Sequence, residues 1–176
     1  YYKFQTTQNP FGILFHPKSI EKLITNAVNE KEYTEKDIFF LNERWHCFDA
    51  HSNLSSTDKN ELLSNLNSAI KSTHHQLKKS SHIIITLGTA WTYSHVDTHS
   101  TVANCHKVPQ KKFVKEILSI DEITECLDGI ISLIKSININ ASFVFTVSPV
   151  RHLKDGFIEN QQSKSHLISA IHQIIN

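Results

Sequence analysis

The block Asn104-Cys105-His106-Lys107 places four different chemical functions on consecutive residues. An amide, a thiol, an imidazole and an ammonium can donate hydrogen bonds to a ligand or take part in proton transfer. Cysteine and histidine side chains that adjoin in sequence rarely meet, and catalytic Cys-His pairs are brought together by the fold. The block therefore predicts a donor-rich loop, and its simpler interpretation is a solvated surface.

Two glycines, Gly12 and Gly88, each follow a predicted strand in a chain that has only four glycines. A glycine at that position lets the backbone present an N–H group to an anion without a Cβ atom in the way. The same residue type also serves any tight turn that needs a positive φ angle. Both interpretations are consistent with the sequence.

The chain contains 12 histidines, and two pairs of them could suggest a metal: His46 with His51, and His95 with His99. No paired-cysteine motif and no His-Glu-x-x-His motif accompanies them, so the sequence predicts neither a zinc site nor any other cofactor. A His-rich metal-dependent enzyme remains a second alternative function.

The composition indicates one globular domain, with 39% hydrophobic and 20% charged residues. A net charge of +1 gives no basic stripe for nucleic acid. No apolar run has the length of a membrane span. Three widely spaced cysteines favour a reducing compartment. Cytoplasm is thus the default location, and secretion stays open because no true start of the chain is visible.

The elements that must position these residues alternate between strands and helices. Strands are predicted at 3–8, 83–87 and 142–147, and the last two are apolar runs typical of a parallel sheet covered on both faces. Helices are predicted at 19–29, from Ser55 or Ser56 to Leu77, from Ser119 or Asp121 to Ser136, and from Glu159 onward. Hairpins are predicted at 38–48 and, within a long irregular stretch, at 92–103.

Strands separated by helices in this rhythm predict right-handed crossovers and a doubly wound α/β sheet. Ligands of such sheets bind beyond the carboxyl ends of the strands. Three turns follow those ends, at 9–12, 88–91 and 148–151. The chain has no methionine, and we expect both of its ends to be cut from a larger domain.

Five sequence motifs, in order along the chain, make it resemble the GSCFA family. These are bacterial proteins named for a Gly-Ser-Cys-Phe-Ala signature and related to the SGNH class of esterases. The motifs are NPFGILF at 9–15, WHCFDAHS at 45–52, TLGTAW at 86–91, VANCHKVP at 102–109 and TVSPVRHLKDGF at 146–157. The segment ENQQSKS at 159–165 follows them and also fits.

The resemblance implies a three-layer α/β/α, flavodoxin-like doubly wound parallel sheet that is incomplete at both ends, with 1–176 as one partial domain. The signature serine nucleophile is expected before Tyr1, and the Asp-x-x-His pair after Asn176. With strand order 2-1-3-4-5, the missing first strand would lie between the strand at 3–8 and the strand at 83–87. These 176 residues alone are therefore expected to be inactive and poorly stable.

The implied function is hydrolysis of a small acyl ester, by an esterase or deacetylase, with an acylated carbohydrate as one candidate substrate; the alternative is a non-catalytic ligand-binding module on the same fold. Gly12 resembles the oxyanion-hole glycine of the second SGNH block. The third block lacks its usual asparagine, and Asn104 is the better substitute and His106 the other. The remaining expected ligand-binding residues are Asn9, Asp49, His51, Gly88, Thr89, Trp91, Lys107, Ser148 and Arg151. Neither the substrate nor the oligomeric state follows from the sequence.

Overall fold

The structure is a computed structural model that describes residues 5–151 and 156–175. Its helices are α1 (Pro17–Val28), α2 (Lys59–Lys79), α3 (Ile120–Ile137) and α4 (Phe157–Ile175). Its strands are β1 (Phe39–Leu41), β2 (Arg44–His46), β3 (His82–Leu87), β4 (Trp91–His95), β5 (Thr101–Val102), β6 (Phe113–Ile117) and β7 (Ser142–Val147). The α/β class predicted from sequence is confirmed.

The parallel pair β3–β7 organises the molecule, with residues in register from His82 opposite Ser142 to Leu87 opposite Val147. Helices α1 and α3 pack together, α2 lies against α1, and α4 lies against α3 and β7. The alternate β3 residues Ile83, Ile85 and Leu87 join the hydrophobic core on this helical side. One helical layer therefore covers one face of the parallel pair.

The opposite face of the pair is open, which corrects the prediction that β3 is buried on both faces. Ile84 of β3 is 69% exposed and Val144 of β7 is 42% exposed. Further along the same face, the exposed side chains of Thr86 and Thr146 share a hydrogen bond of 2.8 Å. The apolar run was interpreted correctly as a parallel strand, but within the described residues nothing covers its second face.

The predicted first strand at 3–8 is not confirmed. Residues 3 and 4 lie outside the described residues, and residues 5–8 form no strand. These residues do not pair with β3 either, because a groove of about 710 Å³ separates the two segments. The turn that follows, at 9–12, is confirmed by a 2.8 Å hydrogen bond from the Gly12 N–H to the Asn9 carbonyl.

The cap predicted for α2 also needs correction, because Asp58 and not Ser55 or Ser56 begins the helix. The Asp58 carboxylate accepts from the Glu61 N–H at 2.8 Å. The two serines are used elsewhere: Ser56 pairs its backbone with Trp45, and the Ser55 hydroxyl contacts His46 at 2.7 Å. Ser119 does cap α3, in a reciprocal capping box with Glu122.

The sequence does not predict strand β6, whose residues fall in the long irregular stretch. The predicted hairpin of β4 and β5 is present, and β6 pairs with the other edge of β4 to complete an antiparallel sheet. The hairpin of β1 and β2 is also present, as predicted. The antiparallel sheet begins at Trp91, shortly after the carboxyl end of β3 at Leu87.

The open sheet face and the groove lead to a prediction about the isolated chain. Because apolar residues such as Ile84 and Val144 face solvent, residues 1–176 alone should unfold without a sharp transition and should self-associate. Circular dichroism melting combined with size-exclusion chromatography would measure this. A sharp cooperative melt of a soluble monomer would contradict it.

Candidate functional site

Five segments meet around the carboxyl ends of β3 and β7, and we refer to them together as the rim: residues 9–16, 47–51, 88–91, 102–107 and 148–151. The Phe15 carbonyl accepts from the N–H groups of Gly88 at 2.7 Å and Thr89 at 3.0 Å. The His51 N–H donates to the Phe11 carbonyl at 2.9 Å. Backbone hydrogen bonds thus join segments that are far apart in sequence.

Two further contacts attach the loop 102–107 to the other segments of the rim. The Ala103 N–H donates to the Phe48 carbonyl at 2.8 Å. The buried His16 ring accepts the Ser19 N–H at Nδ1 and, from Nε2, donates to the Val102 carbonyl at 3.0 Å. Burial lowers the pKa of His16, which favours this neutral, two-sided arrangement. His16 therefore caps α1 and holds the loop at once.

Gly12 occupies a position that no other residue type fits. Its φ is +73°, and a Cβ atom there would lie 2.4 Å from the Cβ of His51. The Gly12 N–H donates to Asn9, whose own φ of +45° is also left-handed. The backbone donor expected for an oxyanion is therefore engaged in the turn.

Gly88 is required for close packing and not for a free donor. A Cβ atom on it would lie 3.1 Å from the Phe15 carbonyl oxygen, which accepts the Gly88 N–H. The Thr89 hydroxyl is engaged too, since it contacts Ser163 at 3.1 Å and accepts from the Trp91 N–H at 3.0 Å. The polar groups of the turn at 88–91 are therefore engaged by Phe15, by Ser163 and by one hydrogen bond within the turn.

Helix α4 contributes two residues for which the sequence predicts no role, Ser163 and Lys164. The Ser163 hydroxyl accepts from the Ala90 N–H at 2.8 Å. The Lys164 ammonium donates to the carbonyls of Gly88 at 2.6 Å and Ser148 at 2.7 Å, so it bridges the ends of β3 and β7. Burial lowers the pKa of Lys164. Helical spacing marks Ser163 as inward-facing, whereas no sequence signal identifies the partners of Lys164.

Asp49, expected to bind ligand, is engaged with the core beneath the rim. Its carboxylate lies 2.6 Å from the Lys22 ammonium and accepts from the Tyr33 hydroxyl at 3.1 Å. Asn26 in turn donates to that hydroxyl at 2.9 Å. Burial, followed by the Asp49 charge, raises the pKa of Tyr33. Asp49 therefore supports the segment 47–51 and does not present its charge to solvent.

His51 packs directly against the Gly12 turn. Its Nδ1 atom accepts from the Asn53 N–H at 3.3 Å, and its ring lies 6.4 Å from the Phe15 ring, centroid to centroid. Together with the close approach of its Cβ atom to Gly12, these contacts make His51 part of the packing of the rim.

Asn104 retains an unused donor. Its Oδ1 atom accepts from the His106 N–H at 2.8 Å, while none of the described residues accepts from its Nδ2 group. The Cys105 thiol makes no hydrogen bond to the His106 ring in the described part of the chain, and burial raises its pKa to about 11. A thiolate nucleophile with a histidine base is therefore not assembled at 105–106.

His106 is 5% exposed and is surrounded by aromatic rings. Its Nε2 atom donates to the Cys47 carbonyl at 2.7 Å, and its Nδ1 atom is buried without a hydrogen-bond partner among the described residues. The ring of His46 lies 4.8 Å away, and Phe39 and Phe48 flank the pair. Burial lowers the pKa of His106 to about 4, so the ring is neutral at physiological pH.

The remaining rim residues differ in exposure. Ser148 continues the strand ladder through its N–H, which donates to the Leu87 carbonyl at 2.8 Å. Lys107 and Arg151 are exposed, and their side chains make no hydrogen bond or ion pair with any other described residue. The Trp91 indole N–H donates to the Glu159 carbonyl at 3.4 Å.

The GSCFA family model matches residues 1–176, the whole chain. The chain belongs to the GSCFA family. The resemblance based on the five sequence motifs is thereby confirmed. No curated protein and no solved structure matches the chain.

The rim of this GSCFA chain brings together most of the residues expected from the sequence. Asn9, Gly12 and His51 form one group, and Gly88, Thr89, Trp91 and Ser148 form another that Lys164 and Ser163 hold. In the described ranges, no three histidine, cysteine or acidic side chains are grouped so that they could hold a metal ion. Nor is any helix there long and apolar enough to cross a membrane.

Replacement of Gly12 by alanine tests the geometry of the turn. Gly12→Ala should destabilise the protein by about 1 to 3 kcal/mol, because the new Cβ atom combines a left-handed φ with a clash against His51. Urea unfolding of the polypeptide with the whole reading frame measures the change. Gly129→Ala, inside α3, is the control and should change stability by less than about 1 kcal/mol.

The burial of His106 predicts a pH dependence of stability. Its pKa is about 4 in the folded state and about 6.5 in the unfolded chain. The unfolded state therefore binds the extra proton between these values, and stability should fall as the pH drops from about 6.5 towards 4.

Removal of this imidazole should reduce the slope of unfolding free energy against pH by up to about 1.4 kcal/mol per pH unit in that window. Urea unfolding of the His106→Gln variant of the polypeptide with the whole reading frame measures the slope across this window. His75→Gln, at an exposed histidine, is the matched control. Equal slopes for His106→Gln and the wild type would show that His106 does not titrate as described. The slope that remains includes His16, whose pKa burial also lowers.

Proposed function

We propose that the polypeptide containing this chain is a serine-dependent hydrolase of the SGNH type, an esterase or deacetylase that acts on a small acyl ester. An acylated carbohydrate is one substrate of this class. The observation that carries the proposal is that the GSCFA motifs converge at the carboxyl ends of the parallel strands β3 and β7. Four whole motifs meet there, NPFGILF, WHCFDAHS, TLGTAW and VANCHKVP, together with the start of the fifth. That is where ligands of parallel α/β sheets bind.

In the proposed reaction, a serine outside residues 1–176 attacks the acyl carbonyl, and a histidine outside them accepts its proton and returns it to the leaving alcohol. Charge then develops on the carbonyl oxygen. Uncharged donors near the rim would stabilise that charge. This chain would supply those donors, and it is not expected to catalyse the reaction alone.

Asn104 is the better of the two candidate side-chain donors. Its Nδ2 group has no acceptor among the described residues, and its orientation is fixed because Oδ1 holds the His106 N–H. His106 fits less well, because Nε2 is used by Cys47 and Nδ1 carries no proton in the neutral ring with that tautomer. The role proposed for Gly12 requires its N–H to exchange the Asn9 carbonyl for the oxyanion.

A non-catalytic binding module on the same fold is the second candidate. The observation that favours it is that the backbone donors of Gly12, Gly88 and Thr89 are all engaged within the rim. A site without free backbone donors stabilises developing negative charge poorly. Exposed Lys107 and Arg151 would then hold an anionic or polar ligand without chemistry.

Labelling of the full polypeptide with a fluorophosphonate probe, followed by peptide mass spectrometry, separates the two candidates. The hydrolase proposal expects an adduct on one serine outside residues 1–176. Asn104→Ala should slow labelling by roughly 10²- to 10³-fold, as loss of an oxyanion donor does. Asn60→Ala, an exposed residue of α2, is the matched control and should label like the wild type.

Absence of any adduct on well-folded protein would contradict the hydrolase and support the binding module. An adduct whose rate is unchanged in Asn104→Ala would retain the hydrolase and remove Asn104 from its oxyanion hole.

A further inference from the structure

The turn at residues 105–108 directly follows Asn104 and has an unusual backbone conformation. The Val108 N–H donates to the Cys105 carbonyl at 2.9 Å. Between them, His106 and Lys107 have φ angles of +48° and +60°. Two central residues with positive φ are typical of a type I′ turn, in which Asn-Gly is preferred because most residues with a Cβ atom disfavour that conformation. Local preference therefore does not explain why this turn forms.

His106 is the only buried residue among the described non-glycine residues with positive φ. The other six are exposed: Asn9, Glu30, Asn42, Glu43, His99 and Lys107. The His106 Nε2 atom donates to the Cys47 carbonyl at 2.7 Å, and the rings of Phe39 and Phe48 lie 5.9 and 6.3 Å from the His106 ring, centroid to centroid. An unfavourable backbone conformation persists where the surrounding structure determines it. Here the core holds the turn through one side chain.

The same residue holds the side chain of Asn104. The Asn104 Oδ1 atom accepts from the His106 N–H at 2.8 Å, and the Asn104 N–H donates to the Phe48 carbonyl at 3.4 Å. Oδ1 and Nδ2 belong to one planar amide group, so the contact at Oδ1 also limits the direction of the unused Nδ2 donor. The φ angle of His106 relates its N–H to its ring, and the anchored ring therefore fixes where that N–H lies.

We propose that His106 is a positioning residue for the ligand of the rim. Its buried ring, bonded to the Cys47 carbonyl, holds the turn 105–108 and so fixes the direction of the Asn104 Nδ2 donor. The ring itself does not reach the ligand, because Nε2 is engaged and Nδ1 is buried. This inference rests on the proposed function in one respect, namely that Asn104 is the donor to the oxyanion.

Fluorophosphonate labelling of the polypeptide with the whole reading frame tests the kinetic consequence. His106→Leu loses the donor to Cys47, so labelling should slow by up to roughly 10²-fold, as misplacement of a group by about 1 Å does. His106→Gln keeps an N–H donor at the end of the side chain and should restore most of the rate. A wild-type rate in His106→Leu, or an equally slow rate in His106→Gln, would overturn the proposal.

Two comparisons separate positioning from a general loss of stability. Ile134→Ala, at a fully buried position of α3, should destabilise the protein and still label at the wild-type rate. Added to Asn104→Ala, His106→Leu should change the labelling rate by less than about twofold, because no donor remains to be positioned. Equal slowing by His106→Leu with and without Asn104 would show that His106 supports the fold as a whole, and the proposal would then be wrong.

A nuclear magnetic resonance measurement on the same polypeptide needs no hydrolase activity. The order parameter of the Asn104 side-chain N–H group should exceed about 0.8 in the wild type and in His106→Gln, and should fall below about 0.6 in His106→Leu. Asn60, exposed on α2, provides the mobile reference. A rigid Asn104 amide in His106→Leu would refute the positioning role. An amide that loses order in His106→Leu, in a protein whose wild type does not label, would contradict the hydrolase alone.

His106→Asn covers the case in which His106→Leu does not fold. Asparagine tolerates positive φ, but its side chain is too short to replace the bond from the His106 ring to the Cys47 carbonyl. The Asn104 amide should therefore lose order in this variant as well, and retained order would refute the proposal.

Discussion

The carbonyl of Phe15 accepts two hydrogen bonds, from Gly88 and Thr89, and the arrangement of the rim depends on it. This one acceptor ties the segment that carries the Gly12 turn to the end of β3. Gly88 has no Cβ atom, and a Cβ atom there would crowd that same oxygen. Because Gly12 packs on His51, the Gly12 turn also determines the position of residues 47–51. The loop 102–107 is positioned in turn by the hydrogen bond from the Ala103 N–H to the Phe48 carbonyl.

The half of the rim around β7 depends on a single cation. Lys164 reaches from α4 to the carbonyls of Gly88 and Ser148, two acceptors that belong to different strands. An ammonium group suits this position because it has three donors and no acceptor. Its placement means that α4, although it follows β7 in the chain, also determines the position of the turn after β3.

The buried histidines serve hydrogen bonding across the fold. His16, His46 and His106 are buried, and each places at least one ring nitrogen on a backbone carbonyl of another segment. Neutral imidazole is well suited to this task because it can donate from one nitrogen and accept at the other. Surrounded by Phe39 and Phe48, His46 and His106 are partners within an aromatic cluster, and the described residues around them do not form a ligand set for a metal.

The sequence by itself determined the α/β class, the parallel strands β3 and β7, the helices and the positions where turns carry polar residues. These features follow from side-chain periodicity, glycine placement and capping residues, which act over a few neighbouring positions. It did not reveal β6, the cap at Asp58, or the open face at Ile84. Only the tertiary structure decided which donors at the rim are engaged, that Lys164 bridges two strands, and that a groove borders β3. The physical reason is that a backbone N–H or carbonyl carries no record in the sequence of its partner, which comes from a distant segment and is selected by packing.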